Sequence, residues 1–155
     1  MTTRPRGAGE EEGRDYRFVS REEFEEGLRN DALIEHAEVF GHYYGTPRGP
    51  VEEALAAGRI VLLEIDVQGA RQVQKQYPQA VSIFILPPRP KDLADRIDQR
   101  QRGEDESQRK KRLEKASDEM AAAFQYYEYQ VVNDDLEQAI REVIDIIQGK
   151  IGERI

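Results

Sequence analysis

Hydrophobic and polar residues follow two alternating patterns along this chain. Three segments are short, nearly continuous apolar runs, at residues 59–66 (RIVLLEID), 80–86 (AVSIFIL) and 129–135 (YQVVNDD). Such runs are typical of strands that are buried on both faces, as in a parallel sheet. The segments GARQVQKQY and LEQAIREVIDIIQG, after the first and last runs, have apolar residues at helical spacing. Strands that alternate with helices predict an α/β fold of three layers around a parallel sheet.

The first half of the chain contains clear signals for the ends of helices. Ser20 followed by Glu23 forms a capping box, which predicts a short helix after Ser20. Pro50 suits the first turn of a helix and Gly58 suits its end, so a compact helix is predicted between them. Residues 32–46 (ALIEHAEVFGHYYGT) mix apolar, polar and β-prone types, and predict short strands joined by a turn.

Residues 98–112 form a densely charged stretch without apolar periodicity. We expect this stretch to be a charged lid, with helical structure resuming at Arg112. Arginines form the clearest functional pattern in the chain: three lie at its start (Arg4, Arg6 and Arg14), and five lie in or just before the charged stretch (Arg96, Arg100, Arg102, Arg109 and Arg112). Guanidinium groups suit phosphate oxygens. For most of these arginines the alternative is a solvated face that pairs with neighbouring acids.

The composition limits the kinds of partner that the chain can have. A length of 155 residues fits one domain with a substantial core. The formal net charge of −8 repels nucleic acid and anionic membranes, so neither is expected as a partner. The absence of cysteine excludes disulfides and cysteine-based zinc sites. No signal peptide is recognised, and the apolar runs are far shorter than the ~20 residues of a membrane span. We therefore expect a cytoplasmic protein.

Acidic residues follow two of the predicted strands. Ligands of parallel α/β sheets bind beyond the carboxyl ends of the strands, which makes Asp66 a candidate ligand-binding residue. The alternative is that Asp66 only caps the helix that starts near Gly69. Asp134 and Asp135 are expected to cap the last helix. The paired tyrosine hydroxyls of EVFGHYYGTP either face a phosphate or hydrogen-bond within the core.

Taken in order, segments from the whole chain resemble the guanylate kinase family. The segment TTRPRGAGEEEGRDYRFVSREEF is similar to the family's nucleotide-monophosphate segment, and LIEHAEVFGHYYGTP is similar to its acceptor-site segment. VLLEIDVQGARQV resembles the strand that ends in an aspartate. SIFILPP, the arginine-rich lid and VVNDDLEQA follow at the expected places. The resemblance implies phosphorylation of GMP to GDP by ATP with Mg²⁺.

The resemblance also implies a role for individual residues in binding GMP. Arg4 matches the arginine that holds the GMP phosphate, and the hydroxyls of Tyr16 and Tyr44 reach the same phosphate. Glu35 and Thr46 match residues that read the guanine edge, where a carboxylate can accept hydrogen bonds from N1–H and the 2-amino group together.

Further residues match the family with differences in spacing. Asp66 matches the strand-end acid near the base and the acceptor phosphate. Arg6 is the residue that best matches the family's second arginine for the GMP phosphate. It lies one position before the expected one, which Gly7 occupies. Arg100 and Arg112 match the catalytic lid arginines that neutralise the transferring phosphoryl group. Because the lid is one residue longer than expected, Arg102 competes with Arg100 for that match.

The sequence contains no GxxxxGK[ST] phosphate loop. The resemblance therefore implies a P-loop-kinase-like fold without its first strand, phosphate loop and first helix. Without the loop's amides, lysine and hydroxyl, we expect weak ATP binding and very low or no turnover. The alternative function is a non-catalytic module that binds GMP or a protein. A second copy or another chain is expected to cover the sheet edge that the missing strand leaves.

The expected organisation is a single guanylate-kinase-like domain over residues 1–155. Its GMP-binding subdomain is expected at about residues 1–50 and its core at about residues 51–155, with the lid inside the core. GMP is the expected ligand, and no metal-binding residue is expected from the chain itself.

Overall fold

The computed structural model describes residues 1–99 and 106–152. It contains two compact units, Met1–Ala80 and Val81–Ile155. The first unit contains α1 (Arg21–Arg29), β1 (Leu33–Val39), β2 (His42–Pro47), α2 (Arg48–Ala56) and α3 (Val67–Gln76). The second unit contains β3 (Ile83–Leu86), α4 (Pro90–Gln99), α5 (Glu106–Tyr126), β4 (Tyr129–Val132) and α6 (Leu136–Gly152). The predicted division near residue 50 stays a prediction.

The first unit is built on an antiparallel hairpin of β1 and β2. Val39 pairs with His42, so the loop between the strands is only Phe40 and Gly41. Both loop residues have positive φ, 52° and 81°, as a type I′ turn requires. The strands and turn that the sequence predicted for residues 32–46 are confirmed.

The predicted helix after Ser20 is confirmed as α1. The Ser20 side chain accepts a hydrogen bond from the Glu23 amide at 3.1 Å, which satisfies one free amide of the first turn. Phe24 is fully buried and its ring stacks on Tyr43 of β2, with 5.3 Å between the centroids. This contact attaches α1 to the hairpin.

The predicted helix between Pro50 and Gly58 is confirmed as α2. Gly58 has a φ of 70°, the left-handed conformation that commonly ends a helix. The helix that follows Asp66 is confirmed as α3, which packs on β1.

The N-terminal segment is held between residues 17–19 and β2. The Thr2 amide donates to Arg17 O at 2.9 Å, and the Val19 amide donates to Thr2 O at 3.0 Å. The hydroxyl of Thr2, which is fully buried, donates to Tyr43 O at 2.9 Å. These bonds fix the backbone immediately before Arg4.

The strand predicted for residues 59–66 is wrong. The segment belongs to no strand of the structure, and Ile60 and Leu62 are 62% and 76% exposed. A strand needs a neighbour that completes its backbone hydrogen bonds, and residues 60–65 make no such bond with the described part of the chain. Apolar runs of this kind predict strands only where another strand is available.

The second unit contains a parallel pair, β3 and β4, with Ile83 aligned to Tyr129 and Leu86 to Val132. The Tyr129 amide donates to Ser82 O at 3.0 Å at one end of the pair. Val131 of β4 is fully buried. The α/β class with a parallel sheet is therefore confirmed, although β3 is shorter than the apolar run that predicted it.

Helix α5 begins at Glu106, earlier than the predicted start at Arg112. Its first turns are rich in Glu, Gln, Arg and Lys, which are good helix formers and need no apolar periodicity. Lys110 and Glu114 form a pair at the i,i+4 spacing with 3.9 Å between Nζ and Oε1. Within the described ranges, no helix combines the length and apolar character needed to cross a membrane.

Candidate functional site

The candidate site lies on one face of the β1–β2 hairpin in the first unit. Glu35 of β1 is aligned with Thr46 of β2, and Ala37 is aligned with Tyr44. Since residues two apart along a strand point to the same face, Tyr44 and Thr46 share the face that carries Glu35. The hairpin thus brings one predicted phosphate-binding residue and two predicted guanine-reading residues onto one surface.

At one end of this surface, Glu35 is a buried carboxylate with 4% of its surface exposed. The Thr46 hydroxyl donates a hydrogen bond to Glu35 Oε1 at 2.6 Å. Burial raises the pKa of Glu35 above its ordinary value of 4.5, the Thr46 hydrogen bond opposes this, and the nearby charge of Asp66 adds to it. The carboxylate keeps acceptor capacity that Thr46 alone does not use.

Asp66 is the N-cap of α3. Its Oδ1 accepts a hydrogen bond from the Gly69 amide at 3.0 Å, and its Oδ2 accepts one from Gln68 Nε2 at 3.2 Å. The capping role that the sequence left open is therefore confirmed. It places the Asp66 carboxylate at the positive end of a helix and near Glu35.

At the other end of the surface, Arg4 forms a two-point ion pair with Glu10. Arg4 Nη2 donates to Glu10 Oε1 at 2.7 Å, and Nη1 donates to Glu10 Oε2 at 3.0 Å and to Pro5 O at 2.9 Å. Its guanidinium carbon lies 5.5 Å from the ring centroid of Tyr16 and 5.9 Å from that of Phe18. The hydrogen bond to Glu10, followed by the neighbouring Tyr44 hydroxyl, raises the pKa of Arg4.

One donor of Arg4 is unused. Arg4 Nε is buried and has no hydrogen-bond partner among the described residues. A buried unsatisfied donor is costly, so a nitrogen of this kind favours an added acceptor such as a phosphate oxygen.

Tyr16 and Tyr44 lie beside Arg4. Their rings meet edge to face, with 6.1 Å between the centroids. Burial and then the neighbouring Tyr44 raise the pKa of Tyr16, although 38% of its surface is exposed. A tyrosine hydroxyl is a hydrogen-bond donor, so each of the two can donate to an anion next to Arg4.

No contact among the described residues connects the remaining predicted site residues to this surface. Arg6 is exposed in the N-terminal segment. Arg100 and its competitor Arg102 lie outside the described residues, as do residues 100–105 of the predicted lid. Arg112 lies in α5, and its side chain is outside the described part of the structure.

The sequence did not identify several residues that shape the site. Glu10, which holds Arg4, was only one of three consecutive glutamates in the first sixteen residues. Gln72 and Gln76 hydrogen-bond to the backbone of β1 on either side of Glu35. One feature of the sequence could have indicated the two glutamines. Their spacing from Gly69 places them on one face of the helix, where apolar residues would be expected if that face packed on a strand.

No group of three or more acidic or histidine side chains that could hold a metal ion occurs in the described ranges. Among the described residues, the candidate site therefore offers no carboxylate cluster that would hold a Mg²⁺ ion by itself.

Known proteins with similar sequences and structures have one family in common. The guanylate kinase family model matches residues 1–150. A guanylate kinase of Synechocystis sp. is 49% identical over 147 residues, covering 94% of this chain and 75% of that protein. One of Thermus thermophilus is 47% identical over 162 aligned positions, covering 100% of this chain and 72% of that protein.

A solved structure agrees with these sequence matches. The crystal structure of guanylate kinase from Anaplasma phagocytophilum superposes with a TM-score of 0.81 at 38% identity, covering 96% of this chain and 72% of that one. The predicted fold family is confirmed by this likeness. On the sequence match over residues 1–150 and these relatives, the chain belongs to the guanylate kinase family.

Proposed function

We propose that the first unit binds GMP as the acceptor of a phosphoryl group from ATP. The observation that carries the proposal is the arrangement of two unlike ends on one hairpin face: a buried carboxylate at Glu35 and an arginine flanked by tyrosines at Arg4. A purine nucleotide with hydrogen-bond donors on its base and a charged phosphate is complementary to both ends.

The base end favours guanine over adenine. Glu35 in its ionised form can only accept hydrogen bonds, and guanine presents two adjacent donors at N1–H and the 2-amino group. Adenine has an acceptor at N1, which would face the carboxylate without a proton between them. Thr46 holds Glu35 Oε1 by donating its hydroxyl proton, and Asp66 adds a second acceptor near the base.

The phosphate end uses cationic and neutral donors together. In the proposal, Arg4 meets the GMP phosphate through Nε and the Nη2 hydrogen that Glu10 does not accept, and Tyr16 and Tyr44 donate their hydroxyls. Arg6 is the second arginine proposed for this phosphate. Glu10 orients the Arg4 guanidinium before the nucleotide binds, which lowers the entropy lost on binding.

The proposed reaction needs no protein nucleophile. An oxygen of the GMP phosphate attacks the γ-phosphorus of ATP, the bond from that phosphorus to the β,γ-bridging oxygen breaks, and GDP and ADP result. Positioning and charge stabilisation supply most of the catalysis of such transfers. Arg100 and Arg112 are proposed to neutralise the transferring group, and Mg²⁺ bound with ATP supplies further charge neutralisation in the family.

A second candidate function is GMP binding without catalysis. The specific observation in its favour is that the 155-residue sequence contains no GxxxxGK[ST]. That motif provides backbone amides and a lysine for the ATP phosphates. For the 155-residue polypeptide we expect ATP to bind much more weakly than GMP. We also expect its turnover to be very low.

Calorimetry with GMP and ATP in separate titrations, followed by a coupled ADP-release assay, tests both functions. GMP binding with turnover supports the transferase. GMP binding without ATP binding or turnover supports the binding module. If wild-type protein binds no GMP, both proposals fail, and a protein partner on this surface becomes the hypothesis to test.

A further inference from the structure

One face of α3 touches β1 with residues that are not apolar. Gly69, Gln72 and Gln76 follow each other at i, i+3 and i+7, the spacing of a single helix face. Gly69 lies against the side chain of Glu35, so closely that a β carbon at this position would overlap Glu35 Oε2. The N-terminal turn of α3 therefore forms one wall around the Glu35 carboxylate.

The two glutamines complete the free edge of β1. Gln72 Oε1 accepts a hydrogen bond from the His36 amide at 3.1 Å, and Gln72 Nε2 donates to His36 O at 2.6 Å. One side-chain amide thus takes both backbone groups of His36, as a neighbouring strand would. Gln76 Nε2 donates to Ile34 O at 2.6 Å.

These bonds involve the residues immediately before and after Glu35 in the sequence, and together with β2 they fix both edges of β1 at Glu35. Residues 34 and 36 are held by α3, and Glu35 itself is aligned with Thr46 of β2 on the other edge. Arg48 Nη1 donates to Gln76 Oε1 at 3.1 Å, which sets the orientation of the Gln76 amide. A shift of α3 along β1 would break the pair of Gln72 bonds and also move Gly69 away from the carboxylate.

We propose that Gln72, through its two hydrogen bonds to His36, positions the Glu35 carboxylate and thereby sets the preference of the site for guanine. This inference rests on the proposed GMP site. Gln72 is a positioning residue, because it acts on the base through Glu35 and His36. Losing it lets α3 and β1 move relative to each other while the phosphate end, held by the N-terminal segment, is unchanged.

Three ligands separate positioning from general damage. GMP reports both ends of the site, inosine monophosphate lacks the 2-amino group, and ribose 5-phosphate has no base. For Gln72→Met we expect the preference for GMP over inosine monophosphate to fall about 3- to 10-fold, the range for losing one or two hydrogen bonds. Ribose 5-phosphate affinity is expected to stay at the wild-type value. Gln72→Asn, whose amide is one methylene too short to reach both groups, is expected to behave in the same way.

Gln138→Met is the matched control, since Gln138 is exposed on α6 in the other unit. It is expected to leave all three affinities unchanged. In a double-mutant cycle, Gln72→Met added to Glu35→Gln is expected to cause no further loss of preference, because both changes act through one carboxylate.

The outcomes distinguish this inference from the proposed function. A wild-type preference for GMP that both Gln72 variants retain overturns the inference alone. Equal losses for GMP and ribose 5-phosphate also overturn it, because they mean a general structural effect. Failure of the wild type to bind GMP overturns the proposed function and this inference with it.

Discussion

The carboxylate of Glu35 occupies the space that a side chain at position 69 would need. A β carbon built on Gly69 would overlap Glu35 Oε2 and would also approach Glu35 Cδ. Gly69 is helical and its amide is already bonded to Asp66, so it is not required for an unusual backbone conformation. Its place in the chain is explained by the room it leaves for the carboxylate.

Gly69→Ala is expected to weaken GMP binding with little change in stability. Alanine in a helix gains about 1 kcal/mol over glycine, which offsets the cost of turning the Glu35 carboxylate away from its bond to Thr46. We expect the free energy of unfolding to stay within about 1 kcal/mol of wild type and GMP affinity to fall about tenfold, with ribose 5-phosphate affinity unchanged. Calorimetry and urea unfolding measure these quantities.

Gly27→Ala is the control for this substitution. Gly27 lies in α1, and a β carbon there meets no atom within 4 Å. The variant is expected to be more stable than wild type by about 0.5–1 kcal/mol and to bind GMP normally. Wild-type GMP affinity in Gly69→Ala would contradict the assigned role of Gly69.

The raised pKa of Glu35 predicts opposite pH dependences for binding and stability. Guanine needs the ionised carboxylate, so the base-dependent affinity is expected to be lost as the pH falls through the folded pKa, which lies above 4.5. The contribution of Glu35 to the free energy of unfolding has the opposite pH dependence, because the folded state binds this proton more tightly than the unfolded state. Its contribution is fully present below pH 4.5 and is lost as the pH rises through the folded pKa.

The ratio of GMP affinity to ribose 5-phosphate affinity, measured against pH, checks the binding part of this prediction. Both ligands carry the same phosphate, so its own ionisation cancels in the ratio. In the wild type, the ratio is expected to rise with pH at values above 4.5. In Glu35→Gln, this rise is expected to be absent. A ratio that does not change as the pH rises from 4.5 to neutrality would show that Glu35 does not contact the base.

Arg4→Lys is expected to reduce the affinity for GMP and for ribose 5-phosphate by the same factor. Lysine keeps the charge but lacks the planar fork that holds both oxygens of Glu10 and still leaves Nε for an anion. Losing one hydrogen bond to a charged group corresponds to roughly tenfold or more in affinity. Calorimetry with the two ligands measures the factor.

Arg14→Lys is the matched control for Arg4→Lys. Arg14 is exposed and makes one ion pair with Glu11 at 3.3 Å. Surface pairs of this kind contribute little, so both affinities are expected to stay unchanged. A larger loss for GMP than for ribose 5-phosphate in Arg4→Lys would place Arg4 near the base instead of the phosphate.

Local signals in the sequence were sufficient for the helices of the first unit. Ser20 and Gly58 act on their own turns, through a side-chain hydrogen bond and a left-handed backbone, and both effects depend on residues within about four positions. The same is true of Asp66 as the cap of α3. Glu35 and Thr46 were predicted as a pair from the family resemblance, and the hairpin register aligns them.

Features that depend on distant residues could not be predicted in this way. Gln72 bonds to His36, which is 36 positions earlier, and nothing around either residue indicates the other. The apolar run at residues 59–66 has the composition of a strand, but whether it pairs depends on a neighbour that its own sequence does not specify. Helix α5 starts before its predicted position because charged side chains at i,i+4 support a helix without an apolar face.

Phe24→Ala is expected to destabilise the first unit by about 3–5 kcal/mol, as truncation of a fully buried aromatic residue usually does. The loss removes the ring that stacks on Tyr43 and attaches α1 to the hairpin that carries the site. Phe124→Ala is the matched control: this ring is 70% exposed, and a change within about 0.5 kcal/mol is expected. Urea unfolding followed by tyrosine emission measures both, since the chain has no tryptophan to mask the signal. If Phe24→Ala lowers the free energy of unfolding as little as Phe124→Ala does, α1 is not attached to the hairpin through Phe24.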